Sequence, residues 1–340
     1  MNQQQNIAPM EPLLRVQALS KQFAVSVGRF GGTRPLHALD NVSFLINAGE
    51  CLGLVGESGC GKSTLGRTIL QLLSPTSGAV FFQGQDLSAG DKKTIRTLRR
   101  DVQVVFQDPF SSLNPRMRVR DIIAEPLTNQ KLPRREIDER VQQVIQDVGL
   151  RADYLGRYPH AFSGGQRQRI GIARALVQRP KLLICDEAVS ALDVSVQAQI
   201  LNLLQEIRQE YELTILFISH NLSVVRHIAD RVAVMYLGQV VEIGSNEQIF
   251  SDPQHPYTRS LISAVLEPTR NSKSKRIMLG GEIPSPLDPP PGCYFSTRCP
   301  IAIERCRTEQ PAFNETEDQG GVRCHTPGEF KVDMKTSTSE

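Results

Sequence analysis

Residues 51 to 63 read Cys51-Leu52-Gly53-Leu54-Val55-Gly56-Glu57-Ser58-Gly59-Cys60-Gly61-Lys62-Ser63, and they are the most informative part of the sequence for the class of fold. Its first five residues are almost continuously apolar, which predicts a strand buried on both faces of a parallel sheet. The rest matches the glycine-rich pattern G-x-x-x-x-G-K-S, and we predict a helix that opens at about Lys62. A loop between such a strand and such a helix is the context that this motif requires.

The chemistry of this loop suits a triphosphate. Glycines permit a tight turn whose N–H groups converge on phosphate oxygens, Lys62 adds a positive charge, and the Ser63 hydroxyl can bind Mg²⁺. A glycine-rich turn before an unrelated helix is the alternative, and the strand and helix context disfavours it. The sequence therefore predicts an ATP site formed by Gly56, Glu57, Ser58, Gly59, Cys60, Gly61, Lys62, Ser63 and Thr64.

A second strand-like run, Leu182-Leu183-Ile184-Cys185, ends in the acids Asp186 and Glu187. Neighbouring residues on a strand point to opposite faces, so the two acids can have different roles. We expect Asp186 to bind Mg²⁺, directly or through water, and Glu187 to orient or deprotonate an attacking water. The alternative is an acidic strand end that caps the next helix.

Apolar runs elsewhere alternate between strand and helix, which predicts a parallel α/β sheet. Prolines 115, 126 and 133 separate helical segments within residues 111–178, and this region is predicted to be a helical insertion. The glycine-rich basic stretch from Val27 to Arg34 is expected to be a loop. Predicted strands lie near residues 14–19, 38–46, 181–185, 214–218 and 232–235, and predicted helices cover 134–148 and 194–211.

Length and composition indicate two units in a chain of 340 residues with 40% hydrophobic content. We expect a frayed N-terminus over 1–12, a main domain over 13–250 and a disordered tail over 331–340. After Phe250 the sequence becomes proline-rich and leads to clustered cysteines, so residues 251–330 are expected to form a linker and a small separate module.

Charge and hydropathy limit the function classes. The formal net charge is only +3 and charged residues make up 22%, so no nucleic-acid partner is expected. The first residues lack a secretory signal, which favours the cytosol. Apolar runs stay far below the roughly 18 residues that a membrane-spanning helix needs, so any membrane role should be peripheral.

The seven cysteines fall into two groups. Cys51, Cys60 and Cys185 are scattered among apolar or glycine neighbours. The other four, which we call the cysteine quartet, are Cys293, Cys299, Cys306 and Cys324, separated by five, six and seventeen residues. In a reducing cytosol such a cluster favours a metal over disulfides, and the spacing leaves zinc and an iron–sulfur cluster both open.

A third motif, the signature stretch, reads Phe162-Ser163-Gly164-Gly165-Gln166-Arg167-Gln168-Arg169. A helix that starts with Ser163, Gly164 and Gly165 would direct backbone N–H groups and its dipole at an anion. The stretch resembles the signature of ATP-binding cassette (ABC) subunits. That resemblance implies that residues Ser163 to Gln166 face the γ-phosphate of ATP held by a second ABC ATPase subunit, in a head-to-tail dimer with two sites.

Other residues resemble positions of the same family over about residues 13–250. The resemblance implies that Gln107 senses Mg²⁺ and water, that His220 is a switch histidine near the γ-phosphate, and that Phe23 stacks on adenine. The segment from Ser190 to Asp193 would be the dimer-contact loop. Taken alone, each residue also has an ordinary interpretation: Gln107 as a loop amide, Asp193 as a helix cap, His220 as a strand-end histidine and Phe23 as core.

The implied fold is a P-loop NTPase with a RecA-like parallel sheet, an N-terminal antiparallel β subdomain, the helical insertion and a small cysteine-containing C-terminal module. A finer resemblance, to the dipeptide, oligopeptide and nickel importers, rests on three stretches: 108–116, 220–225 and 252–258. It implies uptake of di- or oligopeptides, or alternatively of nickel or a solute such as glutathione, with ATP and Mg²⁺. It also implies a [4Fe-4S] cluster in the cysteine quartet rather than zinc.

The implied partners are a second, related ATPase chain, two transmembrane permease subunits and an extracytoplasmic solute-binding protein, with this chain on the cytoplasmic face of the inner membrane.

Two positions depart from the family pattern: Ala188 replaces a proline and Asn221 replaces an aspartate. Loss of the proline should loosen the turn after Glu187 and affect turnover more than ATP binding. A clamp protein of translation or chromosome repair is disfavoured by the single phosphate loop and the lack of heptads. A non-hydrolysing regulatory module is disfavoured by intact Glu187 and His220.

Overall fold

A computed structural model of the chain describes residues 11–26, 32–87, 92–108, 112–265, 277, 279–316 and 318–330. Most of the predicted disordered N-terminus, residues 27–31 of the predicted loop and the whole predicted tail lie outside these ranges. So do residues 109–111, at the start of the predicted helical insertion.

In chain order the strands are β1 Leu14–Ser26, β2 Thr33–Ile46, β3 Cys51–Val55, β4 Ser77–Phe82, β5 Gln85–Asp86, β6 Val102–Val105, β7 Leu182–Asp186, β8 Thr214–Ser219, β9 Arg231–Tyr236, β10 Gln239–Ser245, β11 Asn314–Glu315 and β12 Gly321–Val322. The α-helices are α1 Lys62–Ile69, α2 Lys92–Asp101, α3 Val119–Asn129, α4 Arg134–Asp147, α5 Gly164–Leu176, α6 Val194–Glu210, α7 Leu222–Ile228, α8 Asn246–Ser251, α9 Pro256–Val265 and α10 Glu304–Thr308. Short 3₁₀ turns lie at Ala152–Gly156 and Pro159–Ala161.

A central sheet has the strand order β11-β12-β10-β9-β3-β8-β7-β6, and its strands from β9 to β6 run parallel. Strand β3 is buried along its whole length. Leu52 and Leu54 pack into one apolar cluster, and Cys51 and Val55 into another on the opposite face. The predicted burial on both faces is therefore confirmed. Because parallel strands end at one edge of the sheet, the residues that follow β3, β6, β7 and β8 are brought together.

A second, antiparallel sheet has the order β2-β1-β4-β5 and is built from the N-terminal part of the chain. Leu14 pairs with Ile46 on one side and with Phe82 on the other. Strand β2 already begins at Thr33, so the predicted loop is shorter than residues 27–34. The far part of β1 carries Phe23, which pairs with Leu36.

The helical insertion contains α3, α4 and α5. Helix α4 ends one residue before the predicted boundary and buries Ile137, Val141, Val144 and Ile145 on one face. Pro126 does not separate two helices, as predicted, because α3 continues through it to Asn129. Pro126 removes one backbone hydrogen bond, and the burial of Ile122, Ile123 and Leu127 on the same helix offsets that loss.

The segment after residue 251, which we call the C-terminal extension, is joined to the main domain, in contrast to the expected separate module. Strand β12 adds to the central sheet through the pair Glu242 and Val322. Phe295 is 1% exposed, and its ring lies 5.3 Å from Tyr236 and 5.5 Å from Tyr257. Apolar burial and strand pairing thus make the extension part of the same core. Within the described ranges, no helix combines the length and apolar character needed to cross a bilayer.

Candidate functional site

The phosphate loop lies between β3 and α1, as the sequence predicts. Lys62 is only 4% exposed, and its Nζ donates hydrogen bonds to the carbonyl oxygens of Gly56 at 2.8 Å and Glu57 at 2.9 Å. A buried charge needs such partners, because an unpaired one costs several kcal/mol or more. Gly61 has a φ of +109°, and a Cβ there would lie 2.4 Å from the carbonyl oxygen of Ala38. The loop conformation therefore requires glycine at this position.

An acid from the neighbouring strand meets the loop directly. Ser63 Oγ lies 2.9 Å from Asp186 Oδ1, where its hydroxyl donates a hydrogen bond. Burial raises the pKa of Asp186, and the hydroxyl of Ser63 together with the charge of Arg67 opposes that rise. A hydroxyl beside a carboxylate at a phosphate loop forms an oxygen-rich pair that can bind Mg²⁺.

Glu187 is held by residues from the two flanking strand ends. Gln107, which follows β6, donates from Nε2 to Glu187 Oε2 at 3.0 Å. His220, which follows β8, places Nδ1 3.3 Å from the same oxygen. The Glu187 side chain is 18% exposed, and its backbone φ of +51° is unusual for a residue other than glycine. The structure therefore brings together the three side chains that the sequence placed around the attacking water.

The two departures from the family pattern have local compensation. The N–H of Glu187 donates to the carbonyl oxygen of Ile218, and its own carbonyl accepts bonds from the N–H and the hydroxyl of Ser190. Ala188 is 1% exposed, so packing also fixes this turn without a proline. Asn221 caps helix α7 by accepting a hydrogen bond from the N–H of Ser223 at 3.0 Å.

The signature stretch starts helix α5. Ser163 and Gln166 form a capping box, in which each side chain accepts a hydrogen bond from the other residue's backbone N–H. A Cβ on Gly165 would lie 2.5 Å from a methyl group of Val196, so close packing against α6 requires glycine there. Asp193 is the N-cap residue of α6, yet its side chain makes no capping hydrogen bond. The ordinary interpretation of Asp193 as a helix cap is therefore not supported.

A cavity of about 670 Å³ opens beside the phosphate loop. Its described lining combines residues of the loop with Phe23, Gln107 and Glu187, and includes none from the signature stretch. The signature residues Ser163, Gly164, Gly165 and Gln166 therefore lie outside the described lining of this cavity. Residues 283–286 of the C-terminal extension also line the cavity. Local sequence did not predict this contact, because the proline-rich composition of the segment is typical of a linker.

The C-terminal extension also holds Glu57 of the phosphate loop in place. Arg298 makes two hydrogen bonds to the carboxylate of Glu57, at 2.9 and 3.2 Å, and its side chain is only 9% exposed. The hydroxyl of Tyr257 accepts a bond from the N–H of Glu57 at 3.0 Å. No local sequence signal identifies these contacts, since Glu57 and Arg298 lie 241 residues apart.

The cysteine quartet shares one neighbourhood. The N–H of Cys293 donates to the carbonyl oxygen of Cys306 at 2.8 Å. Burial, together with the smaller effect of the other three thiols, raises the pKa of Cys293 to about 12. Burial likewise raises the pKa of Cys299 to about 11. Yet in the part of the chain that the structure describes, no three His, Cys, Asp or Glu side chains are grouped so that they could hold a metal ion. The geometry alone therefore supports neither the predicted [4Fe-4S] cluster nor zinc.

Comparison with protein families gives two matches along the chain. The model for the ABC transporter family matches residues 39–190, which include the phosphate loop, the signature stretch and Glu187. The model for the C-terminal region of oligopeptide and dipeptide transporters matches residues 241–306, which include most of the C-terminal extension.

Curated relatives match almost end to end. The oligopeptide transport ATP-binding protein AppF of Bacillus subtilis is 50% identical over 323 residues, covering 94% of this chain and 98% of that protein. The di/tripeptide transport ATP-binding protein DppF of Pseudomonas aeruginosa is 49% identical, covering 94% of this chain and 99% of that protein. The similarity therefore extends through both matched regions.

Solved structures match the ATPase part. The protein cbiO1 of Clostridium perfringens, part of the ABC transporter complex cbiONQ, is 32% identical with a TM-score of 0.62, covering 71% of this chain and 91% of that one. A dimer of the ATP-binding cassette MJ0796, in a post-hydrolysis state with ADP and phosphate, is 27% identical with a TM-score of 0.61. It covers 68% of this chain and 98% of that one.

The support behind the phosphate loop gives a stability prediction. Arg298→Ala should lower the free energy of unfolding by about 1–3 kcal/mol, because Glu57 then loses a partner with two hydrogen bonds in a mostly buried site. Arg305→Ala is the matched control. Arg305 makes the same two-bond contact with Glu309, but in solvent, and its loss should have no measurable effect. Urea unfolding measures both, and equal effects would contradict the account.

Proposed function

The chain belongs to the ATP-binding proteins of the oligopeptide and dipeptide ABC transporter family, and from this premise we propose that it powers the uptake of di- or oligopeptides. As a family member it is an ABC ATPase that couples ATP hydrolysis to transport. The observation that carries the ATPase mechanism is the convergence of six side chains at one edge of the central sheet: Lys62, Ser63, Asp186, Glu187, Gln107 and His220.

The loop residues would hold the triphosphate. Backbone N–H groups at the start of α1 and the charge of Lys62 favour phosphate oxygens. Ser63, Asp186 and the amide oxygen of Gln107 are hard oxygen donors, and they fit Mg²⁺ because Ser63 and Asp186 already lie in contact. When bound, Mg²⁺ neutralises charge on the β- and γ-phosphates.

Glu187 would act on the attacking water. Its carboxylate accepts the proton of the water while the water oxygen bonds to the γ-phosphorus. The bond from that phosphorus to the bridging oxygen then breaks, and ADP keeps the electron pair. Gln107 and His220 both contact Glu187 Oε2, so they orient the carboxylate for this task.

A second ATPase subunit would complete each site. The signature stretch lies outside the described lining of this chain's own cavity, so its helix start is free to face the nucleotide of a partner. We propose a related but different chain as that partner. Asp193, beside Val194 at 83% exposure, would lie in the contact between the two subunits.

Permease subunits would dock next to Gln107. A groove of about 800 Å³ lies between α2, β6 and α3, lined by four arginines and by Phe106, which is 37% exposed. The segment that starts at Gln107 and continues toward Arg120 joins the catalytic glutamine to the helical insertion. We propose that it transmits nucleotide state to two transmembrane permeases, which would receive solute from an extracytoplasmic binding protein. The chain would thus work peripherally, on the cytoplasmic face of the inner membrane.

Peptides are favoured over nickel or glutathione as the solute. The relatives AppF and DppF are described as transporting oligopeptides and di- or tripeptides, and the C-terminal region matches the peptide transporter model. This assignment rests on that similarity, since solute selection lies with the permease and the binding protein.

We further propose that the cysteine quartet holds a [4Fe-4S] cluster, with zinc as the alternative. Four free thiols match the number and kind of ligands that such a cluster needs, and Cys306 is buried while the other three are partly buried. Because the described side chains are not grouped so that they could hold a metal ion, the proposal rests on the chemistry and number of these thiols. A bound cluster would cross-link the extension through four thiolate ligands.

The catalytic assignment predicts the effect of Glu187→Gln. The variant should bind ATP with unchanged affinity, because Glu187 acts on water, but its turnover should fall by about 10²–10⁴-fold. Uptake of a labelled dipeptide by the reconstituted transporter should be lost in parallel. Glu247→Gln, the same change at an exposed residue of α8, should retain both activities. Normal turnover by Glu187→Gln would contradict the mechanism, and normal turnover without dipeptide uptake by the wild type would contradict peptide import.

The metal assignment predicts iron in anaerobically purified protein. We expect broad visible absorption and about four iron atoms per chain, because four thiolates ligate one cubane cluster. Cys299→Ser should lose most of this iron, whereas Cys185→Ser, a change outside the quartet, should retain it. Stoichiometric zinc without iron, or a metal-free protein, would contradict the cluster.

A further inference from the structure

We propose that the C-terminal extension forms one wall of the base pocket, so that adenine lies between Phe23 and the segment Ile283-Pro284-Ser285-Pro286. Both lie among the described residues that line the 670 Å³ cavity at the phosphate loop, a volume suited to a small ligand. This inference deepens the proposed function, and it rests on nucleotide binding at Lys62.

The orientation of the nucleotide follows from the two kinds of residue that line the cavity. Lys62, Ser63 and Glu187 can interact with phosphate and water. The lining also includes Phe23 and Leu36 from β1 and β2, together with Ile283 and two prolines. Aromatic and aliphatic side chains of this kind can pack against the face of a purine, because a base offers a large π surface and few charges.

The wall segment is fixed in place by its own contacts. The N–H of His37 on β2 donates to the carbonyl oxygen of Pro286 at 3.0 Å, which ties the segment to the strand that pairs with Phe23. Ser285 stabilises the following turn, since its hydroxyl and carbonyl accept bonds from the N–H groups of Leu287 and Asp288. Prolines at 284 and 286 also restrict the backbone, so little conformational entropy is lost when a base binds.

Ile283 is the apolar side chain of the cavity whose exposed surface a bound base would cover most. It is 49% exposed, in a cavity whose other apolar residues are better covered. A base stacked against it would remove this apolar surface from water. Ile303, at 44% exposure on the same extension, lies outside the described lining of the cavity and gives a matched comparison.

The test compares ATP with inorganic tripolyphosphate, which has the phosphate tail but no base. In calorimetric titrations of the full chain, Ile283→Ala should weaken ATP binding by about three- to tenfold, because part of an aliphatic contact is lost. The same variant should bind tripolyphosphate as the wild type does. Ile303→Ala should change neither affinity.

Fluorescence can test the same contact, because the sequence contains no tryptophan. Ile283→Trp introduces a single reporter, whose emission ATP should quench by stacking while tripolyphosphate should not. Ile303→Trp should respond to neither ligand. The proposed contact between adenine and residues 283–286 would be overturned by unchanged ATP affinity in Ile283→Ala. It would also be overturned if this variant lost as much affinity for tripolyphosphate as for ATP. A wild-type chain that binds neither ligand would overturn nucleotide binding itself.

Discussion

A buried ammonium group determines the shape of the active site. The Nζ of Lys62 lies under the phosphate loop and donates to the carbonyl oxygens of Gly56 and Glu57, which turns those carbonyls inward. Lys62 is almost fully buried, so the charge has to be satisfied by these oxygens or by an incoming phosphate. The roles proposed for Asp186 and Glu187 depend on this loop, because it would fix where the phosphates lie.

The C-terminal extension contributes to that site from two directions. Arg298 binds the side chain of Glu57 in the phosphate loop, and Tyr257 binds its backbone N–H. Residues 283–286 line the cavity beside the loop. Arg298 immediately precedes Cys299 of the cysteine quartet, so the support of the loop and the proposed cluster belong to one short segment. The extension is therefore a structural part of the ATPase rather than a separate module.

Much of this architecture could be predicted from local sequence. The apolar run 51–55 predicted a central strand, the loop pattern predicted a helix at Lys62, and Asp186 and Glu187 were correctly placed at the end of a strand beside it. Such signals succeed because strand burial, glycine torsions and helix starts are encoded within a few residues. The interpretation of Pro126 as a helix break was wrong, because apolar burial along the helix overrides the local effect of a proline. The wall at Ile283 and the contact between Glu57 and Arg298 could not be predicted, since they join segments more than 200 residues apart. Proline-rich composition indicates irregular backbone, but it does not show what that backbone packs against.

The most direct test of the central claim is the affinity of Lys62→Ala for ATP, measured together with its turnover. The account predicts that both are lost, while the protein keeps the circular dichroism spectrum of the wild type. Lys181→Ala, which removes a half-exposed lysine outside the loop, should leave both unchanged. Full nucleotide affinity and turnover in a folded Lys62→Ala protein would contradict the account.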